Sequence, residues 1–352
     1  MPDKLYVPII HGATGDRPDE MDTLLAAKAV ANALKRLGFR TELVRVGLDL
    51  RPLHRLAAKE PYAVFNLVEA LTADVRMASV VPAVLERLGL AFTGAGFDAL
   101  AATVSKLRVK QLLREAGIPT PAWSERGDDL DPTIQVLVKS VDEHASVGID
   151  GLSVVPGRAA TGEILRREAV FGGRFFAEAY VDGREFNISL MEGPMGVVAL
   201  PIPEILFEGY DASRPRIVDY EAKWDEASHA YHHTPRRFGL ETSEPDLAER
   251  LTAICQEVWR RFDLAGYARV DLRVGPGGDP QVIDINTNPC ISPDAGFAAA
   301  GAEAGIAYDG LIARIVAAAV ARTRRAPLPI GVEGDLQLEG RGGQAGRPAV
   351  RV

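Results

Sequence analysis

Along the first hundred residues, segments with the hydrophobic pattern of a β-strand alternate with segments that have the pattern of an amphipathic helix. Residues 5–10 are an apolar run of strand length, and the segment 23–37 spaces its apolar residues on one helical face before Gly38 ends it. The alternation continues with strands at 39–46, 63–68 and 90–93 and a helix at 76–88. It predicts a parallel sheet with helices on its faces. Such sheets bind ligands beyond the carboxyl ends of their strands, here in the loops at 11–22 and 66–74.

The middle of the chain has a mixed pattern in which several strands follow one another. A helix predicted at 103–116 ends at Gly117, and two prolines follow it. The next strands are expected at 134–139, 152–155, 175–181, 185–191, 195–200 and 202–207, with a helix at 163–170. Asp182-Gly183 is a predicted two-residue hairpin turn, and Ser243 is the predicted cap of an amphipathic helix. A last helix is expected at 308–322. The pattern predicts an α+β arrangement for this part.

A hairpin is predicted over residues 269–289, where two alternating segments flank the turn-forming sequence Gly-Pro-Gly-Gly-Asp-Pro. Its core-facing residues are expected to be Val270, Leu272, Val274, Ile283 and Ile285. With the turn centred in that sequence, Asp271 lies opposite Asp284 and Arg269 lies opposite Asn286. Two carboxylates therefore share the other face of the hairpin.

The two aspartates repel each other. At about 5 Å and an effective dielectric of about 20 the repulsion is about 3 kcal/mol, more than the about 0.2–1 kcal/mol of a favourable cross-strand pair. A divalent cation would offset it, and Asp271, Asp284 and Asn286 supply the hard oxygen ligands that suit magnesium. The alternative is that water solvates both carboxylates at the surface. Arg269 and Asn286, in register on the same face, favour the cation.

Composition and charge narrow the class of protein. The chain has 352 residues, of which 47% are hydrophobic and 25% charged, as in a soluble globular protein with two or three cores. A formal charge of −8 with scattered basic residues argues against nucleic-acid binding. The two cysteines, Cys255 and Cys290, indicate neither a disulfide framework nor a Cys-based zinc site. We expect no secretion signal, no membrane span and a cytoplasmic location.

Six stretches, spread over most of residues 4–322, match one family pattern. They are Thr93-Gly94 with Ser105–Lys110, Ala116–Pro121, Val138-Lys139 with 143–148, Glu178–Glu185, Tyr220–Lys223 and Arg269–Pro289. Together they resemble the ATP-grasp ligases, specifically the D-alanine:D-alanine ligase branch. The resemblance implies a three-part ATP-grasp architecture, α/β with α+β in the grasp part. Its expected divisions are an N-terminal parallel-sheet domain (1–97), a central subdomain (98–183), a C-terminal subdomain (184–324) and a flexible tail (325–352).

The resemblance also implies roles for individual residues, with ATP held between the central and C-terminal subdomains. The implied nucleotide-binding residues are Lys106, Lys139 and Lys223 for the phosphates, Glu178, Ala179 and Val181 for the adenine, and Glu185 for the ribose. The implied metal ligands are Asp271, Asp284 and Asn286, for two magnesium ions, with manganese as an alternative. The implied catalytic residues are Arg269, Lys223 and Ser146.

The implied reaction is amide or peptide bond formation. A carboxylate is phosphorylated to an acyl phosphate, which an amine then attacks; both substrates are small molecules, as a rule amino acids, and a homodimer is expected. The sequence lacks a Gly-x4-Gly-Lys-Ser/Thr motif, which argues against a phosphate-loop nucleotidase. Two alternatives stay open. One is an ATP-grasp phosphotransferase that releases a phosphorylated product without an amine, and the other is a non-catalytic nucleotide-binding protein.

The sequence departs from the family pattern mainly where the substrates would bind. His144-Ala145-Ser146 stands for a Gly-Ser-Ser-type run, Trp224 for a tyrosine, and Ala295-Gly296 for a Ser-Leu turn that holds the acceptor's carboxylate. Asp284 stands for glutamate and Cys290 for glycine. Each lost hydroxyl removes a hydrogen bond worth about 0.5–1.5 kcal/mol, and more when the partner is charged. We therefore expect substrates other than paired D-alanine.

Overall fold

The computed structural model describes residues 4–12, 18–72, 74–143, 145–193, 195–211 and 214–325, with the backbone alone at 18–20, 324 and 325. His144 and residues 326–352, nearly all of the predicted tail, lie outside the described residues. In the described part of the chain the strands form three sheets, one parallel and two antiparallel. Helices pack against them, which confirms the predicted fold class.

The N-terminal part contains a parallel sheet in the order β2-β1-β3. Its elements are β1 (Ile9–His11), α1 (Pro18–Arg36), β2 (Leu43–Arg45), α2 (Arg51–Ala57), β3 (Phe65–Leu67), a 3-10 helix (Val75–Ser79) and α3 (Val80–Arg87). β1 begins later than predicted, because Pro8 has no backbone N–H to pair and Tyr6 makes only an isolated bridge with Arg40. The strand predicted at 90–93 is a single bridge between Val64 and Phe92.

The helix predicted at 103–116 is interrupted. The structure has two helices there, α4 (Phe97–Thr103) and α5 (Lys106–Glu115). Between them Ser105 has extended backbone, with φ −97° and ψ 116°, and the Lys106 N–H donates to the Val141 carbonyl oxygen at 2.9 Å. The break therefore attaches the start of α5 to Val141, which directly follows one strand of the central sheet.

The central sheet has the order β4-β7-β5-β6 and is antiparallel. Its elements are β4 (Trp123–Ser124), β5 (Gln135–Ser140), β6 (Val154–Pro156), a 3-10 helix (Gly157–Ala159), α6 (Ala160–Phe171) and β7 (Phe175–Ala179). α6 covers one face, and Val136, Val138, Ile164 and Phe175 form the core beneath it. The opposite face is left to the functional residues described below.

The C-terminal sheet has the order β11-β10-β8-β12-β13, and β9 also pairs with β8. Its elements are β8 (Arg184–Gly193), β9 (Gly196–Ala199), β10 (Glu204–Ile205), α7 (Tyr220–Trp224), α8 (His229–His232), β11 (Arg236–Arg237), α9 (Leu240–Ser243), α10 (Pro245–Arg261), β12 (Tyr267–Val274) and β13 (Pro280–Asn286). The predicted cap of α10 is wrong: Ser243 ends α9, where its hydroxyl donates to the Gly239 carbonyl at 3.1 Å.

The β12–β13 hairpin keeps its predicted register only at the end away from the turn. Asp271 pairs with Asp284 and Arg269 with Asn286, as predicted. A bulge then shifts the register, so that Leu272 lies opposite Val282. The prediction that Ile283 faces the core is therefore wrong: Val282 packs in the core and Ile283 lines the cavity.

The last two helices, α11 (Gly296–Glu303) and α12 (Tyr308–Arg325), pack on the N-terminal part. Leu311, Ile312 and Ile315 share a core with Val30 and Phe65, and Arg36 of α1 binds both oxygens of Asp309 at 2.7 and 2.6 Å. Among the described helices none alone is long and apolar enough to cross a membrane. α11 and residues 308–323, bent by 103°, reach that length and composition only as a pair.

Candidate active site

A cavity of about 920 Å³ lies where the three sheets meet. Every residue given a site role from sequence lines it: Lys106, Lys139, Ser146, Glu178, Ala179, Val181, Glu185, Lys223, Arg269, Asp271, Asp284 and Asn286. They come from α5, β5, β7, β8, α7, β12, β13, the loop after β5 and the connection between β7 and β8. Sequence reasoning therefore located the cavity, while the role of each residue stays a prediction.

The carboxylates of the hairpin form one wall of the cavity. The Arg269 guanidinium donates to both oxygens of Asp271, at 2.7 and 2.9 Å, and the Asn286 amide donates to Asp271 at 3.2 Å. Burial works against the charge of Arg269, but Asp271 outweighs it and raises the pKa of the guanidinium. A cationic side chain thus already offsets the charge of Asp271, next to Asp284 on the opposite strand.

The side-chain oxygens of this wall suit a divalent cation that is coordinated partly by the protein and partly by the phosphates of a bound substrate. Nowhere in the described ranges do three or more His, Cys, Asp or Glu side chains form a metal site. Asp271, Asp284 and Asn286 therefore offer two carboxylates and one amide, which is the partial oxygen set that magnesium uses when substrate phosphates complete its shell.

Buried lysines lie beside this wall. The Glu178 carboxylate, 2% exposed, binds the ammonium groups of Lys110 at 2.5 Å and Lys139 at 2.7 Å. Lys139 also donates to the Ile283 carbonyl at 3.0 Å, and Lys106 donates to the Glu143 carbonyl at 2.5 Å. Burial lowers the pKa of Lys110 to about 8 and also lowers that of Lys106. This cluster gives the cavity a positive side with little surrounding water.

Lys110 received no site role from sequence, although it is 1% exposed and has a direct contact with Glu178. The available signal was its position four residues after Lys106, which places both on one face of α5. The Lys110 ammonium also donates to the Thr120 hydroxyl at 2.8 Å. It thus supports Glu178 from behind the cavity wall.

The chain passes from the central sheet to the C-terminal sheet at Asp182-Gly183. The predicted hairpin turn there is wrong, because β7 and β8 belong to different sheets. A Cβ at Gly183 would collide with the Val274 carbonyl oxygen, so the close approach of β12 requires glycine. Arg273, a second residue missed from sequence, binds Glu185 at this hinge. The sequence does indicate it through the alternation of this strand, which places Arg273 on the same face as Arg269 and Asp271.

Two segments meet over the cavity, the 145–150 loop and the 214–224 segment. The Ser146 hydroxyl donates to the Val218 carbonyl at 2.7 Å, and the Trp224 indole N–H donates to the Ala145 carbonyl at 3.0 Å. Ala145 and Ser146 both have positive φ, 57° and 62°, a conformation that costs non-glycine residues energy. These contacts offset that cost and hold the loop against the segment that carries Lys223.

Buried Arg167 fixes the other end of the 145–150 loop. Its guanidinium donates to the Gly148 carbonyl at 2.5 Å, to Asp150 at 2.6 Å and to Glu163 at 2.7 Å. Burial lowers the pKa of the Lys223 ammonium, which lines the cavity below. The loop is therefore attached at both ends while Lys223 faces the cavity.

The far end of the cavity has three of the residues that depart from the family pattern, Cys290, Ala295 and Gly296. Both oxygens of Asp22 accept hydrogen bonds, from the Cys290 thiol at 2.9 Å and from the Ser292 hydroxyl at 3.0 Å. Burial, followed by the charge of Asp22, raises the pKa of Cys290 to about 12, so the thiol is protonated and a poor nucleophile. Arg236 lines this end and donates to the Asp294 carbonyl at 3.1 Å.

Comparison with known proteins identifies the family. The family model described as "D-ala D-ala ligase C-terminus" matches residues 131–317, more than half of the chain. The D-alanine–D-alanine ligase of Methylococcus capsulatus is 30% identical over 315 residues, which are 86% of this chain and 92% of that protein. The chain belongs to the D-alanine–D-alanine ligase family. It is thus an ATP-grasp protein and an ATP-dependent ligase, which confirms the resemblance seen in the sequence.

An uncharacterized relative and a solved structure are also similar to this chain over most of its length. An uncharacterized protein, y4sG, of Sinorhizobium fredii is 32% identical over 300 residues, or 81% of this chain and 84% of that protein. The crystal structure of the D-alanine–D-alanine ligase of Bacillus anthracis complexed with ATP has a TM-score of 0.70 at 18% identity, over 92% of this chain and 100% of that one. This structural likeness supports the fold.

Proposed function

We propose that this ligase joins a small carboxylate to a small amine with ATP and magnesium, and that its substrates are amino acids or related metabolites other than paired D-alanine. The observation that supports ligation is the single cavity lined by all twelve residues expected to bind ATP, metal and the reacting groups. The observation that supports different substrates is the far end of that cavity, where Ala295-Gly296 stands in place of a turn that carries a serine hydroxyl.

In the first step the γ-phosphoryl group of ATP is transferred to a carboxylate oxygen of one substrate, which gives an acyl phosphate and ADP. Lys106, Lys139 and Lys223 approach the cavity from three different elements and offset the phosphate charge where little water competes. Asp271, Asp284 and Asn286 would hold the magnesium, which supplies Lewis-acid stabilisation of the phosphoryl oxygens. This division of labour suits phosphoryl transfer, in which positioning and charge stabilisation dominate.

In the second step the amine nitrogen attacks the acyl carbon, the C–O bond to phosphate breaks with its electron pair leaving on phosphate, and the departing phosphate takes the proton that the nitrogen loses. The tetrahedral intermediate carries an oxyanion. Arg269 stays charged because its pKa is raised, and its contacts with Asp271 use Nε and Nη2. The Nη1 group is then the donor for the oxyanion.

The far end of the cavity determines which amine is accepted. Ala295 and Gly296 have no hydroxyl group to hold a carboxylate, and Arg236 is the nearby cation on the cavity wall. A guanidinium binds a carboxylate with two parallel hydrogen bonds, a different geometry from a serine hydroxyl. We infer that the amine substrate carries its carboxylate in a position that Arg236 reaches.

The test uses the full chain with magnesium, ATP and a panel of paired amino acids, followed by ADP measurement and mass spectrometry. ADP and an amide product that both require two substrates would support ligation. A phosphorylated product from one substrate alone would indicate a phosphotransferase instead. Calorimetric ATP binding without ADP release from any pair would contradict catalysis. Full activity with D-alanine alone would leave ligation standing and overturn the claim of different substrates.

A further inference from the structure

Arg273 is a buried cation at the hinge end of the cavity. It lies on β12 two residues beyond Asp271, opposite Glu185 of β8, and only 4% of it is exposed. The alternation of β12 turns Arg269, Asp271 and Arg273 to the same face, and all three line the cavity. Arg273 is therefore part of the cavity wall at the place where the hinge residues meet the C-terminal sheet.

The guanidinium of Arg273 uses its donors on the hinge. Nε and Nη2 both donate to Oε2 of Glu185, at 3.1 and 2.9 Å. Nη1 donates to the Val181 carbonyl at 2.7 Å, and Nη2 also contacts the Arg216 carbonyl. Since both bonds to Glu185 go to one oxygen, Oε1 keeps its lone pairs for a different donor.

Two aromatic rings lie beside the guanidinium. Its central carbon lies 5.5 Å from the ring centroid of Tyr180 and 5.6 Å from that of Phe207. Burial disfavours the charge of Arg273, but Glu185 outweighs it and the pKa is raised. The guanidinium thus stays charged, with the arginine restrained on several sides.

Stability alone does not explain this pair. A buried ion pair gains little over an apolar pair of the same volume, because both charges lose their water. An orientation role does explain the geometry, since a restrained guanidinium anchors Oε2 of Glu185 and so limits the orientations of that carboxylate on the cavity wall. A carboxylate in fixed orientation accepts hydroxyl hydrogen bonds more selectively than a mobile one.

We propose that Arg273 is a positioning residue that orients Glu185 to accept a ribose hydroxyl, and so sets the preference of this ligase for ribonucleotides. The inference rests on the proposed function, in which Glu185 binds the ribose of ATP. Arg273 acts through Glu185 and takes no part in phosphoryl transfer. Its loss changes nucleotide binding and leaves the chemical step alone.

The experiment compares ATP, 2′-deoxyATP and 3′-deoxyATP by calorimetry and by KM and kcat in the wild type, Arg273→Met and Arg273→Lys. A hydroxyl bound to a carboxylate is worth about tenfold or more in affinity, so the wild type should prefer ATP to at least one deoxynucleotide by that factor. Arg273→Met should reduce the preference to about threefold or less, raise the KM for ATP and keep kcat. Arg273→Lys should restore part of the preference.

Arg184→Met is the matched control. Arg184 also lies on the C-terminal sheet and binds a glutamate, Glu204 at 2.8 and 2.9 Å, but it does not line the cavity. It should keep the wild-type preference. Glu185→Gln should lose the preference as Arg273→Met does, and the double variant should lose no more. The inference is overturned if the Arg273→Met enzyme keeps the wild-type preference, or if the wild type binds ATP and both deoxynucleotides equally. The proposed function itself is overturned if the wild type binds no nucleotide.

Discussion

Asp271 lies directly opposite Asp284 in the antiparallel pair of β12 and β13. Their repulsion, about 3 kcal/mol at about 5 Å and an effective dielectric of about 20, opposes the pairing of the strands. Arg269 offsets part of it through both oxygens of Asp271. The arrangement keeps two carboxylates close together on a cavity wall, where apolar residues would have made a more stable hairpin.

We expect Asp284→Asn to lower magnesium-dependent ADP release by at least about a hundredfold, because an amide is a weaker ligand than a carboxylate for a hard cation. The free energy of unfolding should change less than the activity, because the substitution removes the repulsion from Asp271 and also the attraction to Lys106 and Arg269. Asp279→Asn is the control, since the Asp279 side chain lies in the turn of the same hairpin and is 87% exposed. A fully active Asp284→Asn enzyme would contradict the metal assignment.

Glu178→Gln should lower the free energy of unfolding by about 3–5 kcal/mol, since it leaves the buried ammonium groups of Lys110 and Lys139 without a carboxylate. Glu257→Gln, which removes an exposed pair with Arg260, should change it by less than about 1 kcal/mol. Urea titration at pH 7 measures both.

The contribution of Glu178 should also depend on pH. Burial favours its neutral form, but the two lysines outweigh burial and lower its pKa below the ordinary value of 4.5. The stability it adds is therefore present above pH 4.5 and is lost as the pH falls further. The difference between the wild type and Glu178→Gln should shrink in acid, and a difference that grows there would contradict the assignment.

Asp22→Asn should make Cys290 easier to alkylate. In the wild type burial and the charge of Asp22 raise the pKa of the thiol to about 12, so little thiolate exists below pH 9. Removing the negative charge lowers the pKa, and each unit gives about tenfold more thiolate at a fixed pH. Iodoacetamide labelling at pH 7–9.5, followed by peptide mass spectrometry, measures the change.

Cys255 provides an internal control in the same experiment. It is fully buried, burial raises its pKa well above 9.0, and it should stay unlabelled in both proteins. Equal labelling of Cys290 with and without Asp22 would show that Asp22 has no influence on the thiol.

Trp224→Phe should weaken ATP binding about 2–10-fold, because it removes the hydrogen bond from the indole to the Ala145 carbonyl and so loosens the 145–150 loop. Limited proteolysis within that loop should become faster. Trp123→Phe is the control, since Trp123 lies in β4 outside the cavity lining. Unchanged binding and unchanged proteolysis of Trp224→Phe would show that the contact does not restrain the loop.

The sequence predicted the cavity wall well because alternation and turn-forming residues determine which residues oppose each other in a hairpin. The predicted register is wrong from the residue next to Asp284 onwards, because of the bulge there. Val282 and Ile283 are both apolar and β-branched, so their chemistry does not indicate which of them faces the core. The packing of β12 against its neighbours decides it, and that information is not local.

Arg273 and Lys110 were missed for a related reason. In the sequence, a lysine or arginine on a helix or strand looks like an ordinary solvent-exposed side chain. The carboxylate with which it forms a buried ion pair lies far away in the sequence. Arg273 and Glu185 are 88 positions apart, and Cys290 and Asp22 are 268 apart. Family resemblance indicated Glu178 and Glu185, but their partners Lys110 and Arg273 are identified only by the assembled structure.

The bulge next to Asp284 gives the hairpin one residue that strand pairing does not use. A turn shorter by one residue can therefore be compensated by loss of the bulge, with Asp271 and Asp284 still opposite each other. The same change would move the Ile283 carbonyl away from Lys139. The turn of this hairpin can thus be one residue shorter without displacing the paired carboxylates, but the contact between Lys139 and the Ile283 carbonyl would then be lost.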